Sequence, residues 1–109
     1  MTEQTVLGNI KNVIHERDPK AEAFLFGSRA RGDFKPDSDW DILILVDNPI
    51  VTNELDDWFR DKLYDIELDS GQIISTIIYS KSDWKNKLKY TPLYKNVTME
   101  GLKFSTLIF

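Results

Sequence analysis

Asp39 and Asp41 stand two residues apart in "SDWDILILV". The two-residue side-chain period of a strand sends both carboxylates out of the same face, about 5 to 7 Å apart. At that separation they repel unless a cation or a proton lies between them. Two hard oxygen ligands suit Mg2+, which takes one or two carboxylates and fills its shell with phosphate oxygens and water. Ile42 to Val46 is apolar throughout. It anchors the far end of the strand and leaves the aspartates at the mouth, within reach of a substrate.

Gly27-Ser28 closes the preceding apolar run, with Ser28 eleven residues before Asp39. A glycine after a buried strand lets the chain turn sharply and admits a ligand close to the backbone. One helical turn over residues 28–31 would aim its free N–H groups outward at phosphate oxygens. The Ser28 hydroxyl adds a donor, and Arg29 and Arg31 add positive charge. Phosphate on one side and a metal-binding pair on the other describe phosphoryl or nucleotidyl transfer from a nucleoside triphosphate, with the ion neutralising the α-phosphate and activating a hydroxyl. Asp-x-Asp alone would read as a polar strand start; the Gly-Ser upstream outweighs that. Gly27 to Gly32 has the spacing of a P-loop, but Asp33 and Phe34 stand where Lys and Ser/Thr are required. Arg31-Gly32-Asp33, an adhesion tripeptide elsewhere, is a chance match.

The elements that must position these residues are legible in outline. Val6, Leu7, Ile10, Val13 and Ile14 make one helical stripe over residues 3–17, which Asp18-Pro19 ends. "AEAFLF" (21–26) is a buried strand, Pro36-Asp37 a turn, and residues 39–46 a central strand covered on both faces. Leu55, Trp58, Phe59, Leu63 and Ile66 line a helix over residues 52–69, with Gly71 as its C-cap and "QIISTIIYS" (72–80) as the next strand. Two short helices follow, one opened by Ser82 and one by Thr91-Pro92; Gly101 ends the second. "LKFSTLIF" reads as an edge strand. The sum is an α/β (α+β) fold, a small mixed sheet flanked by helices.

The 109 residues, 41% apolar and 29% charged, fit one domain spanning residues 1–109. Without cysteine there is no disulfide, thiolate metal site or cysteine nucleophile. No apolar run is long enough to cross a bilayer and no secretory signal opens the chain, so the sequence reads as cytoplasmic. The net charge of −4 gives no strong signal for nucleic-acid binding. Charge is segregated: eleven acids against Arg60 and Lys62 from Asp37 to Asp69, then six lysines against Asp83 and Glu100 from Lys81 to Lys103. Asp57, Asp61, Asp65 and Asp69 form a solvated ridge, and His15 is a surface or boundary residue. Trp40, Trp58 and Trp84 are core or boundary residues, Trp40 pointing away from the aspartates. Phe104, Leu107, Ile108 and Phe109 finish the sheet or join a second copy in a homo-oligomer.

"GSRARGDFKPDSDWDILILV" resembles the signature of the nucleotidyltransferase (DNA polymerase β-like) superfamily. "SDWDILI" and the short chain are most similar to the minimal nucleotidyltransferases of bacteria and archaea. The specific resemblance covers roughly residues 24–46, and a weaker one runs through "ELDDWFRDKLYDIELDSGQIISTIIYSKSDW" and "TPLYKNVTMEGLKF". It implies a nucleotidyltransferase-like fold, with Gly27 and Ser28 on the triphosphate and catalytic Asp39 and Asp41 binding one or two Mg2+. It also implies ATP as donor and a hydroxyl on a protein or small molecule as acceptor of AMP. Such proteins are often encoded beside helical HEPN proteins, some as antitoxins that add AMP to a tyrosine of a HEPN ribonuclease. Many active members carry a third carboxylate on the strand after the long helix. Here Ser75 or Thr76 holds that place, and Glu67 and Asp69 lie just before it. That departure opens a second reading: a weak or inactive nucleotide-binding protein that neutralises a HEPN toxin by contact.

Overall fold

A computed structural model describes residues 2–107. Helix α1 (Glu3–Arg17) begins where the Thr2 hydroxyl accepts the Thr5 N–H, and it buries Val6, Ile10 and Ile14. Asp18, extended before Pro19, ends it. Strands β1 (Glu22–Phe26) and β2 (Trp40–Val46) pair antiparallel. Between them lie a single helical turn, α2 (Ser28–Arg31), and a loop turning at Pro36-Asp37. Strand β3 (Ile74–Ser80) is parallel to β2, so the chain must cross a face of the sheet to reach it. Helix α3 (Asn53–Ser70) makes that crossing. Thr52 caps its start, and Gly71, at φ 70°, closes its end by donating to Glu67 O.

Helices α4 (Lys81–Asn86) and α5 (Pro92–Glu100) follow, and β4 (Leu102–Lys103) returns beside β1. The sheet order is β3-β2-β1-β4. β2 is therefore an inner strand, and α helices cover both of its faces. Ile42, Ile44 and Val46 pack with Ile10 and Phe59 of α1 and α3, while Leu43 and Leu45 pack with Val97 of α5. Every residue from Ile42 to Val46 is buried. Each such side chain contributes about 1.5–3 kcal/mol, and that anchorage lets the mouth of β2 carry charge.

Some boundaries differ from the sequence reading. β2 starts at Trp40, which leaves Asp39 outside the ladder. Ser80, not Ser82, caps α4: it ends β3 in extended geometry and its hydroxyl accepts the Asp83 N–H at 3.0 Å. "LKFSTLIF" gives the sheet only Leu102 and Lys103, because Phe104 turns inward and is buried at the start of a 3-10 turn (Phe104–Thr106). Ile108 and Phe109 lie outside the described residues. Trp40 is buried on the face opposite Asp41, the four aspartates of the α3 ridge are exposed, and so is His15. Among the described residues no helix is long and apolar enough to cross a membrane.

Candidate active site

The residues singled out by type and spacing meet where β1 ends and β2 begins. Phe26 is paired with Asp41 across the antiparallel ladder, and Ser75 is paired with it across the parallel one. Paired residues share a face, so all three project on the side of α4 and α5. Asp41 is half-buried there, and Asp39, exposed, precedes it by two residues, close enough for its charge to act on Asp41.

Gly27 joins the two halves of the site. Its φ of 72° lies in the region that favours glycine. A Cβ at this position would stand 2.2 Å from Asp41 Oδ2 and 3.1 Å from its Cγ. The missing side chain is the space that the carboxylate occupies. Beyond it, α2 uses some of its own donors: Ala30 and Arg31 N–H bind Gly27 O, and Gly32 N–H binds Ser28 O. The outward donors of this turn are therefore the N–H groups of Ser28 and Arg29 and the Ser28 hydroxyl, fewer than the run over residues 28–31 expected from the sequence.

Arg29 corrects the expectation of a phosphate ligand. Its side chain is 3% exposed. The guanidinium lies between two rings, with Cζ 4.0 Å from the Trp40 centroid and 4.8 Å from that of Phe34. Nε donates to Ser38 O, Nη2 donates to Pro36 O and Gln72 Oε1, and Nη1 lies 3.5 Å from Glu3 Oε1. A flat, weakly hydrated cation tolerates such burial, and its donors are committed inward. Arg31 is exposed instead, with Nε 3.3 Å from Asp33 Oδ2 and Nη1 3.1 Å from Glu100 Oε1.

Burial pushes the Asp41 carboxyl above the usual carboxylate range; the negative charge of Asp39 pushes the same way, and the positive charge of Arg31 opposes both. The fold thus leaves the Asp41 carboxylate short of compensating positive charge. Two oxygen donors with that deficit fit Mg2+, whose other positions go to phosphate and water. Among the described residues no group of three or more His, Asp or Glu side chains is placed to hold a metal ion.

The position of the absent third acid resolves to Ser75. Thr76 pairs with Ile42 and faces the other side of the sheet. Glu67 sits on α3, beneath that other side, and its Oε1 accepts the Ile74 N–H at 2.7 Å. Asp69 is exposed on the same helix. Glu100 and Gln72 escaped the sequence reading: each reaches the motif only through the fold, and no local pattern marks either. A concavity of about 690 Å³ lies elsewhere, along α5 beside Tyr90, Lys95 and Met99. None of the motif residues lines it, so the chemistry of the aspartate pair, not cavity size, locates the site.

A family model for the nucleotidyltransferase domain matches residues 7–102. The chain belongs to the nucleotidyltransferase domain family. It is a transferase on that footing, and the mixed sheet with flanking helices is the nucleotidyltransferase-like fold. A relative in Methanocaldococcus jannaschii, named as protein adenylyltransferase MJ0604, is 33% identical over 94 residues, covering 86% of this chain and 77% of its own. A solved structure of a toxin-antitoxin with AMP-PNP shares the fold, with a TM-score of 0.65 at 18% identity over 90% of this chain and 71% of that one.

Proposed function

We propose that this nucleotidyltransferase, one domain over residues 1–109, is a Mg2+-dependent adenylyltransferase that moves AMP from ATP to a hydroxyl acceptor. One observation carries the reading: Gly27 gives up its side chain to the Asp41 carboxylate, which sets the phosphate-binding turn against the metal-binding pair. The name of the archaeal relative and the AMP-PNP in the solved fold neighbour support adenylyl transfer.

Asp39 and Asp41 would hold the ion, which would supply charge neutralisation at the α-phosphate and acidify the attacking hydroxyl. The Ser28 hydroxyl and the N–H groups of Ser28 and Arg29 donate to triphosphate oxygens. Arg31 adds positive charge at the same mouth. The acceptor oxygen bonds to the α-phosphorus as the bond from that phosphorus to the bridging oxygen of the β-phosphate breaks. Pyrophosphate leaves with that electron pair, and the acceptor proton passes to water. The acceptor is a hydroxyl on a partner protein of the HEPN class, in a cytoplasmic toxin–antitoxin pair; the toxin-antitoxin fold neighbour supports that setting.

The test is transfer of labelled AMP to a HEPN partner, with the Asp39→Ala/Asp41→Ala double variant as control. Labelling by the wild type alone is the expected result; equal labelling by both removes the proposal. Ser75 beside Asp41, in the place of a third acid, favours a second reading in which the protein neutralises its partner by contact alone. On that reading the folded double variant still rescues growth of cells expressing the partner. Loss of rescue rejects it.

A further inference from the structure

We infer that Arg29 is a positioning residue, a buried clamp that sets Asp39 against Asp41 and ties the phosphate-binding turn to the metal-binding strand. The inference rests on the reading of Asp39 and Asp41 as metal ligands.

Asp41 lies inside β2, where neighbouring strands hold its backbone on both sides. Asp39 has no such support: β2 begins one residue later, and Asp39 is exposed at the end of a loop. Two ligands to one small ion must keep a fixed separation, so something outside the ladder has to hold the peptide around Asp39. On the near side, Arg29 Nε donates to Ser38 O at 3.1 Å, the carbonyl directly before Asp39, and Nη2 donates to Pro36 O at 3.2 Å. Lys35 and Ser38 close the intervening turn on themselves, through Ser38 N–H to Lys35 O and Lys35 N–H to Ser38 Oγ. On the far side, Trp40 N–H donates to Ile73 O at 2.8 Å, and the Trp40 ring stacks against the same guanidinium. Gln72 Oε1 completes the arrangement by accepting from both Arg29 Nη2 at 3.1 Å and Trp40 Nε1 at 3.3 Å.

One guanidinium therefore grips the chain before and after Asp39. Because Arg29 follows Ser28 in α2, that grip also fixes the turn whose donors face the triphosphate. The fixed fork of arginine reaches two carbonyls and an amide oxygen at once, which the single ammonium of lysine cannot do. Loss of a group that orients a metal ligand typically costs about 10- to 100-fold in metal affinity. A residue that merely fills the space under Trp40 would affect folding and leave the affinity of folded protein for metal alone.

The experiment compares wild type, Arg29→Lys, Gln72→Leu and Gln72→Glu. Mn2+ binding is followed by electron paramagnetic resonance with a non-hydrolysable ATP analogue present, and thermal unfolding is recorded in parallel. Arg29→Lys is expected to raise the Mn2+ dissociation constant by about 10- to 100-fold, the range for lost support of a metal ligand. Gln72→Leu moves it in the same direction, and Gln72→Glu, which keeps both accepting positions, returns it toward wild type. An unchanged Mn2+ constant in folded Arg29→Lys and Gln72→Leu overturns the inference while leaving the metal site standing. If Arg29→Lys does not fold, the two Gln72 variants decide on their own. Failure of wild type to bind Mn2+ at all removes the site reading, and the clamp falls with it.

Discussion

Asp41 carries a charge that its surroundings resist. Burial, and then Asp39, favour its protonated form in the folded protein. A carboxyl whose folded pKa lies above its unfolded one leaves the native state binding more protons than the unfolded chain between those two values. Stability therefore falls as pH rises through that window and stays reduced above it. Asp41→Asn removes the charge, so the ligand-free variant is expected to melt a few degrees above wild type at neutral pH, with the gap narrowing in acid. Mg2+ with ATP should raise the wild-type midpoint and leave that of the variant unmoved. Equal midpoints at every pH would contradict the account. Gly27→Ala meets a carboxylate at 2.2 Å and a positive φ. It is expected to cost about 1–3 kcal/mol in urea denaturation and to abolish Mn2+-dependent nucleotide binding. Gly8→Ala, with open space around it on α1, should instead stabilise by about 0.5–1 kcal/mol. At this scale Asp41, Gly27 and Ser28 could be singled out because strand period and glycine geometry are local properties, whereas Asp39 lies one residue outside the strand, beyond the reach of that period. The role of Arg29 was not legible. An arginine after Gly-Ser looks the same whether it turns to a phosphate or to Trp40, and its partner Gln72 arrives from 43 residues away.

Among the elements, β2 and β3 set the chemistry through their register. Parallel pairing puts Ser75 beside Asp41 and turns Thr76 to the opposite face, a distinction of one residue that inverts every side chain. Ser75→Asp is therefore expected to place a third carboxylate on the aspartate pair. Its ligand-free midpoint should drop below wild type, the added stabilisation by Mg2+ with ATP should grow, and any labelled-AMP transfer should accelerate. The same measurements on Thr76→Asp should show no gain in ligand stabilisation, since that side chain faces α3. Equal behaviour of the two variants would refute the register argument. α1, α3 and β2 could be read from periodicity because each buries a full stripe or a continuous apolar run. β4 could not, because two paired residues carry no pattern. Nor could the choice between Ser80 and Ser82, since either serine can cap a helix and only the point where the chain leaves the sheet decides between them.

The molecule as a whole has a radius of gyration of 13.3 Å, close to the ~13 Å of a compact chain of this length. Acidic α3 covers one side of the sheet, while α4 and α5, with Lys87 and Lys89 in the loop between them, cover the other, where the aspartate pair opens. Trp40 and Trp58 report on the first side and Trp84 on the second. Because β2 is packed from both sides, urea unfolding followed by fluorescence and by circular dichroism should give one shared transition, with a slope of about 1–2 kcal/mol per molar. Two separated transitions would show that the sides unfold independently. A mixed sheet was legible from the order of strand and helix signals; the strand order was not, because the short β4 that flanks β1 is all but silent in the sequence.

The half-burial of the Asp41 carboxylate beside Gly27 bears on how long each copy lasts. A copy without cation and nucleotide keeps its half-desolvated acid and opens more often; a loaded copy is relieved of that burden and stays shut. Proteases that cut only opened chains will therefore clear unloaded molecules first, and the standing amount of protein will follow the supply of its own ligand.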